Sequence, residues 1–202
     1  MMGKAHLTVG MATALALTAV NTPAGIAAAL AGGALGGVLP DVDTLKNDYQ
    51  SDALIAELLA AGVVAAVAVL DFFLKWGICA DVMANRALAI VGGVAMLALW
   101  VYGFPREHRT ATHSLLLMLL FSVAATFVHV PFGAAVLVGY LSHLLLDLLN
   151  KRGIQLFFPF KARFCLHLCY AGKTANKVFT IIGAIATLAL MIFRVVSVLI
   201  GM

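Results

Sequence analysis

Three runs of this chain, 53–74, 84–104 and 178–202, are apolar for the full depth of a lipid bilayer. A span needs about 20 residues. In hydrocarbon every backbone N–H and C=O must find a partner inside the protein, so such runs fold as helices. Further apolar runs at 7–20, 24–38, 114–130 and 132–149 extend the pattern. Only 11% of residues are charged and the mean hydropathy is +1.06, against about 25% charged in soluble domains. The sequence therefore predicts an all-α integral membrane protein, a polytopic helical bundle forming a single domain over 1–202.

Two of the shorter runs, 114–130 and 132–149, are separated by Pro131 and predict a tight helical hairpin. The first stretch, 7–38, is too long for one simple span and breaks at Asn21-Thr22-Pro23-Ala24-Gly25. Its halves reach only about 22 Å each by helical rise. It reads either as one long helix or, the reading adopted, as a short, partly shielded N-terminal hairpin beside about five full spans. Gly32, Gly33, Gly36 and Gly37 would let its helices pack closely. The N-terminus has the outline of a signal peptide, but cleavage would remove His6, and the segment is expected to stay.

Charge distribution orients the bundle. With the loop 150–177 in the cytoplasm, the cytoplasmic side carries Lys4, Lys46, Arg106, Arg109, Lys151, Arg152, Lys161, Arg163, Lys173 and Lys177. Lys75 and Arg86 fall on the other side, the bias expected of loops that are not translocated. The net charge of +4 is spread over several loops rather than one stripe, which argues against a nucleic-acid partner. The three cysteines, Cys79, Cys165 and Cys169, make no disulfide framework.

With a hairpin at 7–38, every polar cluster lands on that same side. His143 and Asp147 stand four residues apart on one helix face inside an apolar segment, where ionisable groups are costly and mark function by default. Asp41 and Asp43 follow Pro40 at a helix end. His108, Arg109 and His113 precede the helix starting near Ser114, with Thr112 as its expected cap. His6 opens the first apolar run. Each element alone has a plain structural explanation: a buried polar pair, a solvated turn, a lone histidine. Their convergence predicts a metal site with His6, Asp41, Asp43, His108, His113, His143 and Asp147 as ligands. Imidazole with carboxylate suits Zn²⁺, and Mn²⁺ or Mg²⁺ accept carboxylates. Seven donors exceed one tetrahedral site and could serve two metals.

Other features are assigned lesser roles. Asp71 and Lys75 are expected to pair at the outer rim, Arg194 to snorkel outward, His129 to sit at the outer interface, and Glu57 to lie near the site. Alternation through Phe160–Tyr170, after Ile154–Pro159, predicts a small interfacial β-hairpin near 154–170, with Cys165, His167 and Cys169 as surface groups rather than a soft metal site.

The ordered set of His6 with Gly10, LPDVD, HRTATHS and HLLLDLLNKRG resembles the membrane-bound metal-dependent hydrolase family, the YdjM-like, LexA-regulated inner-membrane proteins. The resemblance covers residues 1 to about 165. It implies the same seven ligands, a relation to mostly helical zinc-dependent phospholipase C and P1 nuclease folds, and location in a bacterial inner membrane. The expectation is thus a hydrolase acting at the cytoplasmic face on a phosphoester, with a phospholipid or lipid-linked phosphate as the amphiphilic substrate. Asp41 or Asp43 would orient water or act as base, and Arg109 would contact phosphate. The rivals are a non-enzymatic metal-binding membrane protein and an ion or proton transporter. Substrate, metal identity and oligomeric state are not legible at this stage.

Overall fold

The computed structural model describes residues 3–44, 50–168 and 174–201; Lys46, Cys169 and Lys173 fall outside them. Within these, α1 (Gly3–Leu17) and α2 (Pro23–Val38) form the expected N-terminal hairpin, and a 3-10 turn, Leu39–Thr44, extends α2. α3 (Gln50–Leu74), a short α4 (Ile78–Ala84) and α5 (Arg86–Gly103) follow. A 3-10 turn, Ala111–His113, leads into α6 (Leu115–Val128), α7 (Val130–Leu148) and α8 (Thr174–Leu199). Thr22 caps α2 by accepting from the Gly25 N–H at 3.0 Å, and Pro23 occupies the first turn, where its missing N–H costs nothing.

The hairpin is more than a shielded appendage. Pro23–Thr44 is itself long and apolar enough to cross a membrane, and α2 packs on α1, α3 and α7. α8 lies along α1 in parallel, with Thr187 Oγ1 donating to Thr8 O at 3.0 Å. α6, at fourteen residues, is shorter than the spanning helices. All the turns that bear the candidate ligands lie at one end of the bundle, because α1 starts there and α2, α5 and α7 finish there.

Three expectations are corrected. The β-hairpin near 154–170 is absent among the described residues, which hold only an isolated bridge between Ile154 and Phe164. Its backbone groups bond elsewhere: Leu166 and Leu168 N–H donate to Leu148 and Leu149 carbonyls, and Gln155 N–H to Arg109 O. Asp71 is not a salt-bridge partner of Lys75; its carboxylate accepts from the Ile78 and Cys79 N–H groups at 3.0 and 2.6 Å, while the Lys75 ammonium lies 4.5 Å over the Phe72 ring. Arg194 does not snorkel freely. Its guanidinium donates to Leu15 O and Ala16 O, the orphan carbonyls at the end of α1.

Candidate metal centre

Glycine brings the ligand-bearing helices together. A Cβ on Gly37 would lie 2.5 Å from His6 O, one on Gly36 2.3 Å from Val136 O, and one on Gly33 2.6 Å from Gly10 O. The backbones of α1, α2 and α7 therefore touch where only a hydrogen side chain fits. One consequence is that the His6 and His143 rings stack, centroids 3.7 Å apart and 18° from parallel. A second is that His143 Nδ1 lies 2.7 Å from Gly37 O. A carbonyl only accepts, so Nδ1 carries the proton and Nε2 presents its lone pair to the site.

The donors form two adjacent groups that could each hold a metal: His6, His143 and Asp147; and Asp41, His108 and His113. In the first, His6 Nε2 lies 3.4 Å from Asp147 Oδ1. In the second, His113 Nε2 lies 3.6 Å from Asp41 Oδ1. The groups also touch: Asp41 Oδ1 is 3.7 Å from His143 Nε2, and Asp147 Oδ2 is 3.5 Å from His113 Nε2. All are buried except His108, whose side chain keeps 22% exposure and marks the open edge. Neither ring nitrogen of His6 makes a hydrogen bond despite complete burial. A buried imidazole without partners is costly. A cation among these neutral nitrogens and carboxylates would satisfy it, so the donor set fits a divalent metal.

Asp43 has a different environment. Its carboxylate meets His108 Nδ1 at 2.7 Å and accepts from the Arg109 N–H at 3.2 Å and from the Thr112 hydroxyl. His113 Nδ1 is 3.4 Å from Oδ2, the oxygen that Arg109 and Thr112 also share. It orients both imidazoles of the HRTATHS turn. The Arg109 guanidinium is engaged on several sides: Nη2 is 3.1 Å from Asp147 Oδ2, Nη1 donates to Arg152 O, and Nε points at His108 Nε2 at 3.4 Å. Burial opposes a charge on His113, but the Asp43 carboxylate first, then Asp41 and Asp147, outweigh it and raise the metal-free imidazole to about 9. The carboxylates around His113 thus favour positive charge at that ring.

Every residue expected from sequence at this site is here, though not all face its centre. Thr112 is not the helix cap. Ser114 takes that place, accepting from Leu117 N–H at 3.2 Å, which frees the Thr112 hydroxyl for Asp43. The N-terminus of α6 is therefore not an open anion site. Glu57, on α3, is half-buried within reach of the Asp41 and Asp43 charges. Two supporting groups were missed: Tyr140, whose hydroxyl donates to Thr112 O, and Gln155, whose N–H donates to Arg109 O. Tyr140 precedes His143 by three residues, so helical spacing alone could have pointed to it. On the opposite end, His129 Nε2 lies 3.8 Å from Asp81. Cys165 Sγ lies 3.4 Å from the His167 ring nitrogens at the surface.

The sequence model of a family described as YdjM inner membrane protein matches residues 1–201. Among curated proteins, the chain is 30% identical over 93 residues to the uncharacterized protein ORF4' of Methanothermobacter thermautotrophicus, covering 45% of this chain and 40% of that one. It is 43% identical over 63 residues to the uncharacterized protein YvsG of Bacillus subtilis (strain 168), covering 30% of this chain and 39% of YvsG. The matches thus span about two fifths of the curated relatives. No solved structure matches the chain.

Proposed function

The chain belongs to the YdjM inner membrane protein family, and from that premise we propose that it is a membrane-embedded metal-dependent hydrolase that cleaves a phosphoester of an amphiphilic substrate at the cytoplasmic face. The observation that carries this reading is the pair of three-donor groups joined through Asp41 and Asp147. Adjacent divalent ions are suited to clamping the attacking and leaving oxygens of a phosphoryl centre. The cytoplasmic assignment rests on the basic residues that share this end of the bundle.

His6, His143 and Asp147 would hold one ion, and Asp41, His108 and His113 the other; Zn²⁺ suits the set best, with Mn²⁺ or Mg²⁺ as alternatives. A bound ion supplies Lewis acidity toward a phosphoryl oxygen and makes water more acidic. Asp41, whose Oδ1 lies 3.6 Å from His113 Nε2 and 3.7 Å from His143 Nε2, would orient a water and accept its proton. Asp43 holds His108 and His113 in register, a role that fits its bonds better than proton transfer. Substrate would arrive beside His108, the exposed member. Arg109 lies there too, and contacting phosphate would require one of its present bonds to be exchanged. A spanning protein with its site at the boundary favours a phospholipid or lipid-linked phosphate.

Deep burial of the other ligands favours one rival, a closed structural metal site in a non-enzymatic protein. Elemental analysis of detergent-purified protein separates these readings when combined with phosphoester assays. The hydrolase reading expects about one to two equivalents of transition metal, lost in a folded His143→Ala/Asp147→Ala double variant, and hydrolysis that depends on that metal. Bound metal with no hydrolysis across phospholipid and lipid-phosphate substrates supports the structural site. No metal after adding Zn²⁺ or Mn²⁺ removes both.

A further inference from the structure

Residues 150–168 do not simply bridge α7 to α8. They fold back against the site end of the bundle and are pinned by main-chain bonds from Leu166 to Leu148, from Leu168 to Leu149, from Gln155 to Arg109 and from Leu115 to Leu156, all between 2.7 and 3.0 Å. So pinned, the segment buries Ile154 and half-buries Phe158 but turns most of its large apolar side chains outward. Phe160 is 72% exposed and Leu168 71%, and Phe157, Phe164 and Leu166 are exposed as well. Lys161 and Arg163 alternate with them and are also exposed. From Asn150 to Leu168 the sequence holds Lys151, Arg152, Lys161 and Arg163 and no carboxylate. Among the described residues, Glu107 on a neighbouring loop lies 3.1 Å from Arg163.

Exposed apolar groups on this scale do not persist in water without a partner. The segment joins two spanning helices at the bilayer boundary, where apolar rings sink and cationic heads reach phosphates. Its charge is of one sign, which repels a second copy of the same surface and complements an anionic leaflet. We propose that residues 150–168 form an interfacial surface that seats in a leaflet of anionic phospholipid, with Phe160 and Leu168 at acyl depth and Lys161 and Arg163 on lipid phosphates. This inference is independent of any hydrolysis. It does link lipid to the site physically, because the pinning bonds run to the loop that carries His108 and His113.

The test uses full-length protein in nanodiscs of phosphatidylcholine alone or with phosphatidylglycerol. Phe160→Trp, with Trp76→Phe and Trp100→Phe, reports depth through quenching by lipids brominated along the acyl chain. The expected result is quenching that is at least twofold stronger with phosphatidylglycerol, the difference vanishing in Lys161→Glu/Arg163→Glu. A second readout needs no substitution: tryptic cleavage after Lys161 and Arg163, relative to Lys75 at the opposite end, should slow several-fold with phosphatidylglycerol. Absence of quenching in both discs overturns the proposal. Equal quenching with an equal cleavage ratio overturns it too, as does quenching seen only with two chains per disc, which would assign the surface to protein contact.

Discussion

The α1–α2 hairpin and the outer helices α3, α5 and α8 are written in similarly apolar sequence and meet opposite surroundings. In the spanning windows, 89% of Pro23–Thr44 is buried inside the protein, against 17% for Ser51–Leu74, 11% for Arg86–Gly103 and 6% for Thr174–Leu199. Hydropathy alone does not separate these: Pro23–Thr44 and Arg86–Gly103 are almost equally apolar yet meet opposite surroundings, because lipid tails are as apolar as a protein core. Side-chain size does. α2 has glycine at Gly32, Gly33, Gly36 and Gly37, whereas the outer helices present Phe, Leu, Ile and Val to the surroundings. Without a hydrophobic force between helices in lipid, close backbone contact and polar bonds decide which helices meet. The site sits on the helices that could approach one another, not on those long enough to span most easily.

The contrast is sharpest at glycine. Gly36→Val places atoms against the Val136 carbonyl, where even a Cβ would lie at 2.3 Å, and should cost about 3 kcal/mol or more. Thermal unfolding in detergent measures it, with metal content falling in step. Gly62 and Gly93 on the outer helices have nothing within 4 Å, and alanine there should be neutral or stabilising by up to about 1 kcal/mol. Equal losses at Gly36 and Gly62 would break the comparison. The same logic applies to leucine. Leu15→Ala, at a fully buried position, should cost roughly 2–5 kcal/mol, whereas Leu188→Ala, exposed on α8, should stay within about 0.5 kcal/mol.

Smaller effects test how the hairpin serves the site. Asp43→Asn keeps the shape but loosens His108 and His113, and metal affinity should fall about 10–100-fold by competition with a chelator. Metal must displace a proton from His113, whose value is raised to about 9, so apparent affinity should climb about tenfold per pH unit below that and level above it. In the metal-free chain the sign reverses. The charged imidazole stabilises the fold fully below the unfolded histidine's value, and that contribution is lost as pH rises through about 9. The smallest effect is at the opposite end. Burial, opposed by Asp81, lowers His129, so its neutral form contributes stability above the unfolded value that is lost as pH falls through the folded one. His129→Gln should flatten that acid-side slope in a melting series.

Much of this was legible in the chain. The spans were set by length, the hairpin break by Thr22-Pro23, and the convergence of His6, Asp41, His113, His143 and Asp147 by counting crossings. What sequence missed depends on competing bonds. The period-two pattern at 160–170 is real in sequence, but beyond the Ile154–Phe164 bridge the Leu166 and Leu168 N–H groups bond the end of α7 instead of a strand. Asp71 and Lys75 had pairing spacing, but two free N–H groups at the start of α4 bind the carboxylate. Thr112 was the expected cap, but Ser114 takes that place and the Thr112 hydroxyl turns to Asp43. Spacing along one helix predicts which groups can meet; it does not rank the partners that other segments bring.

His6 lies at the start of α1 and its stacking partner His143 near the end of α7. During synthesis α1, with His6, is made before α7, with His143 and Asp147. No nascent chain that stops before α7 can complete the His6, His143 and Asp147 group. Until then α1 has its glycine-lined contact with α2, through Gly10, Gly33 and Gly37, but not the ring partner that α7 brings. Any metal that this group binds would therefore be captured only after α7 has been made and packed against α1 and α2.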